Sequence, residues 1–262
     1  MKKARPHNIC PALARTEDAF LGGQLRITQL KSGHRAGHDA VLLAAATAAR
    51  SGDRVADLGA GVGVAGLAVA RRVNDIDLVL VEIDAALAGL ARANAEANAI
   101  HADVIVLDVE ADAASFAAVG LGPDSVDAVL MNPPFNDPAR HRASPDTVRG
   151  IAHMATAATL EKWVRAARRM LKSRGVLTLI WRADGIAEVL AALDLGFGSL
   201  QLLAVHGDVR APANRILVRA TKGGRAPTQV LPALMLNDEQ GAPNKGAREI
   251  LAGQGSLPLA NP

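Results

Sequence analysis

Tyrosine is absent from this 262-residue sequence, and aromatic residues of any kind make up only 2% of it. A core built on ring stacking is thereby excluded, so Ala, Val and Leu must supply the buried volume. The 50% hydrophobic content is enough for one large α/β domain with appendages. Cysteine occurs once, as Cys10, which excludes an intrachain disulfide and suits a reducing cytoplasm. Long apolar runs are also missing. Met1-Lys2-Lys3 carries the charge of a secretory leader, but Pro6, Asn8 and Pro11 leave no apolar stretch behind it, and the alanine-rich segments are too short or too charged to span a bilayer. A soluble cytoplasmic protein with no membrane partner is expected. The formal charge of +3 permits a polyanionic partner without requiring one. No Ser/His/Asp or Cys/His grouping is recognisable. His34 and His38 are four residues apart, but Gly37 separates them and no acidic residue occupies the adjacent slot, so no metal site is expected.

What is present is alternation. Apolar runs at 54–58, 78–83, 103–107, 126–131 and 175–181 read as strands, and 64–72, 84–98 and 155–172 read as the helices between them. Such alternation makes a parallel sheet with right-handed crossovers. A helix near 185–194 precedes Leu200–Val205 and Arg215–Ala220, which look like a closing antiparallel pair. Ahead of the sheet, Gly22-Gly23 reads as a hairpin turn and Asp39–Arg50 as an alanine/leucine helix. The expected division is an arm, hairpin and helix over 1–50, a main domain over 51–221, and a surface tail over 222–262 rich in Gly, Pro and charge.

Asp57 closes the first of these strands, and the chain then turns through Gly59, Gly61 and Gly63 into a helix. Glycines there allow positive φ and close ligand approach, beside the unpaired N–H groups of a helix start. Gly61 to Gly66 also satisfies the G-x-G-x-x-G dinucleotide fingerprint, and Glu82 falls near its ribose-binding acid, so a nicotinamide oxidoreductase competes on this segment. At the end of the second strand, the two oxygens of Glu82 can chelate vicinal ribose hydroxyls. Asp84 reads as a helix N-cap. Asn132-Pro133-Pro134-Phe135 comes directly after the strand at 126–131. Proline fixes φ and keeps the preceding residue extended, so Asn132 is held with its carboxamide projecting. A carboxamide oxygen and a free backbone carbonyl can accept both hydrogens of a planar –NH2 group, and Phe135 offers a face on which a base can stack.

Asn132 to Phe135 resembles the fourth motif of the amino-methyltransferases, which methylate exocyclic or amide nitrogens from S-adenosylmethionine. The resemblance implies a Rossmann-like methyltransferase fold, with a mostly parallel seven-stranded sheet, an antiparallel closing hairpin and an N-terminal hairpin/helix extension. It also implies cofactor contacts from Asp57, the Gly59/Gly61/Gly63 turn and Glu82, with Asp108 at the position that accepts from the adenine amine and Asn132 bordering both cofactor and acceptor. Asp57 would meet a cationic amino-acid moiety and repel a pyrophosphate, which weighs against the nicotinamide reading.

The stretch Gly33–Ala45, together with Trp163-Val164, the Lys172–Gly175 turn and Lys222–Pro227, is similar to a narrower family, the bacterial tRNA (adenine-N6)-methyltransferases acting on valine tRNA. By that likeness Gly37 and Asp39 border the methionine end of the cofactor, and Asn132, Pro133, Pro134 and Phe135 hold the target amine. His38 departs from the small residue expected there. The likeness implies a tRNA partner, whose phosphates Arg140, Arg142 and Arg149, helped by Lys222, Arg225, Lys245 and Arg248, would clamp. A protein amide, a guanine N2 or a small-molecule hydroxyl are the alternative acceptors, and a non-catalytic RNA-binding protein is the alternative of another class.

Overall fold

The computed structural model describes residues 14–31, 35–134 and 147–261. Strands β1 (Arg15–Phe20) and β2 (Leu25–Leu30) pair antiparallel around a single 3-10 turn at Leu21–Gly23. Leu25 and Ile27 alternate inward at 0% exposure, the period-2 pattern of a strand with one buried face. Helix α1 (His38–Ala46) buries all of Ala40 to Ala46, the apolar run that follows its polar first two residues. It stops four residues before the expected Arg50. Thr47 turns extended and returns its hydroxyl to the Leu43 carbonyl, while Arg72 and the Leu257 N–H collect the Ala44 and Ala45 carbonyls.

The α/β part runs β3 (Arg54–Leu58), α2 (Val64–Arg72), β4 (Asp77–Glu82), α3 (Ala85–Ala97), β5 (Asp103–Val106), α4 (Ala113–Ala118), β6 (Val126–Met131), α5 (Thr147–Met170), β7 (Leu171–Arg182), α6 (Ile186–Leu193), β8 (Phe197–His206) and β9 (Arg215–Lys222). The seven expected strands lie in the order β8-β9-β7-β6-β3-β4-β5. Six run in one direction, and β9 alone enters antiparallel, between β7 and β8. Two short strands not expected from the sequence, β10 (Gln229–Val230) and β11 (Leu234–Met235), extend the sheet along β8, for nine in all.

Both faces of the sheet are covered. Val55, Leu78, Leu80 and Leu130 point into one apolar cluster with α1, α2 and the hairpin, while Ala56, Val79, Val81 and Val129 point into the other with α5 and α6. Residues beyond β9 are also anchored. Asn244 caps α7 (Lys245–Leu251), and Ile250, Leu257 and Leu259 join the first cluster. Gln24 beside the hairpin turn donates to the Ala252 carbonyl at 3.1 Å. Among the described residues no helix is long and apolar enough to cross a membrane.

Strand β3 lies between β4 and β6, so strand order reverses there. Register pairs Leu58 with both Val81 and Met131. The chain segments leaving β3, β4 and β6 therefore emerge side by side at the carboxyl edge, where open α/β sheets take their ligands.

Candidate active site

Backbone bonds fix both ends of the turn after β3. The Gly59 and Ala60 N–H groups both donate to the Val81 carbonyl at 2.9 Å, and the Gly63 N–H donates to Ala60 at 2.8 Å. Gly59 has φ +69°, and a Cβ there would come within 2.4 Å of the Trp163 ring on α5. Gly61 has φ +58° and faces open space, so a ligand can approach its backbone. Gly63 is the left-handed N-cap of α2.

Three carboxylates surround this turn in different states. Asp57 is 2% exposed and its Oδ2 accepts the Gly66 N–H, in the first turn of α2, at 2.8 Å. Burial pushes its carboxyl up to about 7; the Gly66 bond opposes the rise and the charge of Glu82 adds to it. No cationic side chain pairs with it among the described residues. Glu82 is 7% exposed and already oriented: Oε2 accepts the Gly61 N–H at 2.8 Å and Oε1 the Asp84 N–H at 2.9 Å. Each oxygen keeps a further lone pair for a ligand hydroxyl. Asp84 caps α3, accepting from Ala86 and Leu87. Asp108 lies past β5, exposed, with Oδ1 on the Glu110 N–H at 2.8 Å.

Asn132 comes directly after Met131 and so stands next to the Gly59 turn. Its Oδ1 is buried with no hydrogen-bond partner among the described residues, a costly arrangement unless a donor arrives. Pro133 is buried and Pro134 exposed. Phe135, Arg140 and Arg142 lie outside the described residues, as do His34 and Gly33. Gly37 precedes α1, and Asp39 in its first turn is paired with Arg215 of β9 at 2.8 Å. Lys222 is engaged within the chain, donating to Asp124 at 3.0 Å and to the Leu171 carbonyl.

Sequence reasoning missed several neighbours. Ile83, immediately after Glu82, is 62% exposed, an apolar side chain at the ligand edge whose only signal was its position. Trp163 walls the turn from 104 residues downstream, and Arg215 reaches Asp39 across 176 residues. No local pattern reports such pairings.

Residues 36–208 match the family model of the methyltransferase small domain. The chain belongs to that family. This methyltransferase small domain protein is 28% identical over 217 residues to a tRNA1(Val) (adenine(37)-N6)-methyltransferase of Bacteroides thetaiotaomicron, covering 82% of this chain and 83% of that one. It is 28% identical over 155 residues to a release factor glutamine methyltransferase of Chlorobaculum tepidum, 57% of this chain and 52% of that one. Among solved structures it resembles a predicted O-methyltransferase of Agrobacterium tumefaciens, with TM-score 0.71 and 31% identity over 84% of this chain and 98% of that one. It is an S-adenosylmethionine-dependent methyltransferase. The residues present fit that cofactor. A buried carboxylate with no cationic side chain beside it among the described residues suits an ammonium group, a fixed two-oxygen acid suits a diol, and the open Gly61 backbone leaves room for the ligand.

Proposed function

We propose that this enzyme methylates the exocyclic N6 of an adenine in tRNA. The observation that carries the reading is the buried Asn132 Oδ1 beside the glycine turn, which has no hydrogen-bond partner among the described residues. A buried acceptor of this kind calls for an N–H donor, and a second acceptor, the Pro133 carbonyl, is next in the chain. Together they match the two hydrogens of an aromatic amine, whereas a hydroxyl acceptor has only one to give. The names of the similar tRNA enzymes support adenine within that class.

The cofactor, when bound, supplies an electrophilic methyl group on a sulfonium. The chain's own residues then supply position and field. Asp57 offers its carboxylate to the cofactor's cationic end, Glu82 accepts from the ribose hydroxyls, and Ile83 presents an apolar face for the cofactor base. Gly37, Asp39 and Asp108 border the same ligand. Asn132 and Pro133 draw on the two amine hydrogens, which favours a pyramidal nitrogen with its lone pair free. Fixed acceptors need no reorganisation during transfer, so positioning and electrostatics carry the rate.

A carboxamide acceptor pair also suits a glutamine side-chain amide, and this is the second reading. Labelled cofactor offered to total RNA and to total protein separates the two. The proposal expects label in the tRNA fraction, released by nuclease digestion as N6-methyladenosine. Label in protein alone, or in N2-methylguanosine, overturns it.

A further inference from the structure

Asn94 in the last turn of α3 and Asn98, the residue that caps its C-terminus, stand one turn apart and are both buried. Each pairs with one residue of β2 as a neighbouring strand would. The Asn98 Oδ1 accepts the Arg26 N–H at 2.9 Å while its Nδ2 donates to the Arg26 carbonyl at 2.7 Å. Asn94 holds Thr28 in the same way, at 2.8 and 3.1 Å. A turn of helix rises about 5.4 Å and two strand residues span about 6.6 Å, so the carboxamides keep step with alternate β2 residues. The free backbone edge of β2 is thereby satisfied by a helix.

The two asparagines differ in one bond. The Asn94 Nδ2 also donates to the Val62 carbonyl at 2.9 Å, inside the glycine turn, whereas the Asn98 Nδ2 returns to the Asn94 carbonyl at 2.7 Å. From the other side Glu82 grips the Gly61 N–H. The backbone around Val62 is thus held from two directions by side chains that arrive from elsewhere. Glycine-rich backbone has little stiffness of its own.

We propose that Asn94 is a positioning residue for the cofactor turn, through which docking of the N-terminal hairpin is coupled to cofactor binding. The proposal rests on the reading of that turn as the cofactor site. Coupling is reciprocal, so a ligand that fixes the turn also tightens the hairpin.

The test measures S-adenosylhomocysteine affinity for the wild type, Asn94→Ala, Asn98→Ala and Glu82→Ala, with hydrogen exchange at the Arg26 amide with and without ligand. Both asparagine variants lose two hairpin bonds and melt earlier, so a purely structural role makes them alike. The expected result is an affinity loss of about tenfold for Asn94→Ala, the scale of one hydrogen bond, with Asn98→Ala within twofold of wild type. Ligand should slow Arg26 exchange in the wild type and leave it unchanged in Asn94→Ala. Should Asn94→Ala not fold, Asn94→Asp keeps the acceptor for Thr28, removes the donor to Val62, and is expected to show the same affinity loss. Equal affinities for the Asn94 and Asn98 variants, or ligand-independent exchange in the wild type, overturn the coupling. Full affinity in Glu82→Ala overturns the cofactor-site reading instead.

Discussion

Gly66 donates its amide hydrogen to the buried carboxylate of Asp57 at 2.8 Å, and no cationic side chain joins them among the described residues. With its pKa raised from 3.8 to about 7, mainly by burial, this group takes up a proton on folding between those two values. Its contribution to stability is therefore fully present below the unfolded pKa and is lost as pH rises through about 7. Cofactor binding runs the opposite way, because a cationic ligand selects the ionised form. Affinity for S-adenosylhomocysteine is expected to climb up to about tenfold per pH unit between about pH 5.5 and 7, then level off. Calorimetry across that range checks it. Asp57→Asn should bind weakly with a flat profile, and a flat wild-type profile refutes the ion pairing.

Asn132→Ala is expected to remove at least about 100-fold of the transfer rate, the scale for losing one fixed polar group at a reacting centre, with cofactor affinity held within a few-fold. Single-turnover transfer from labelled cofactor measures the first and calorimetry the second. A normal rate in the variant would falsify the acceptor role. Removing a buried oxygen that has no partner among the described residues should also leave thermal stability unchanged or slightly raised.

Glu82 anchors the Gly61 and Asp84 amides as well as facing the ligand. Glu82→Ala should weaken cofactor binding by about 1.5–3 kcal/mol, the range for hydrogen bonds to charged groups. Glu82→Gln keeps one acceptor oxygen and should lie between the alanine variant and wild type. If the two variants bind alike, charge and not bond count governs the site.

Gly59→Ala places a methyl 2.4 Å from the Trp163 ring at φ +69°. Overpacking and a left-handed non-glycine residue together should cost about 2–5 kcal/mol, read as a lower melting temperature. Adding Trp163→Leu should restore only the steric share. Full additivity of the two losses would mean that the ring and the turn are not in contact.

The sheet was largely legible because its signals are local. The strand at 54–58, the helix at 64–72 and the strand at 126–131 have the bounds read from periodicity and glycine punctuation. α5 begins eight residues earlier than expected and β7 four, since neither start carries a sharp signal. α4 escaped notice because six residues of Ala, Ser and Phe give too little pattern, although Asp112 caps it. α7 has a cap in Asn244, obscured by the Gly and Pro around it. At the site, the same division holds. Asn132, Glu82 and the glycines declare themselves through their neighbours in sequence. Asn94 gripping Thr28 across 66 residues, and Arg215 gripping Asp39 across 176, are made by the tertiary fold and leave no trace in a window of sequence.

Leu257 bonds the Ala45 carbonyl, Ile250 packs in the cluster beneath α1, and Ala252 receives Gln24. These contacts have a consequence for the order of synthesis. A ribosome delivers the hairpin and α1 well before α7, and the side of α1 that Leu257 and Ile250 cover stays bare until more than two hundred further residues have emerged. Over that interval the emerging chain must carry a partly uncovered alanine-rich helix, a state open to wrong partners and to chaperones. The segment after β9 closes a hairpin and helix made long before it.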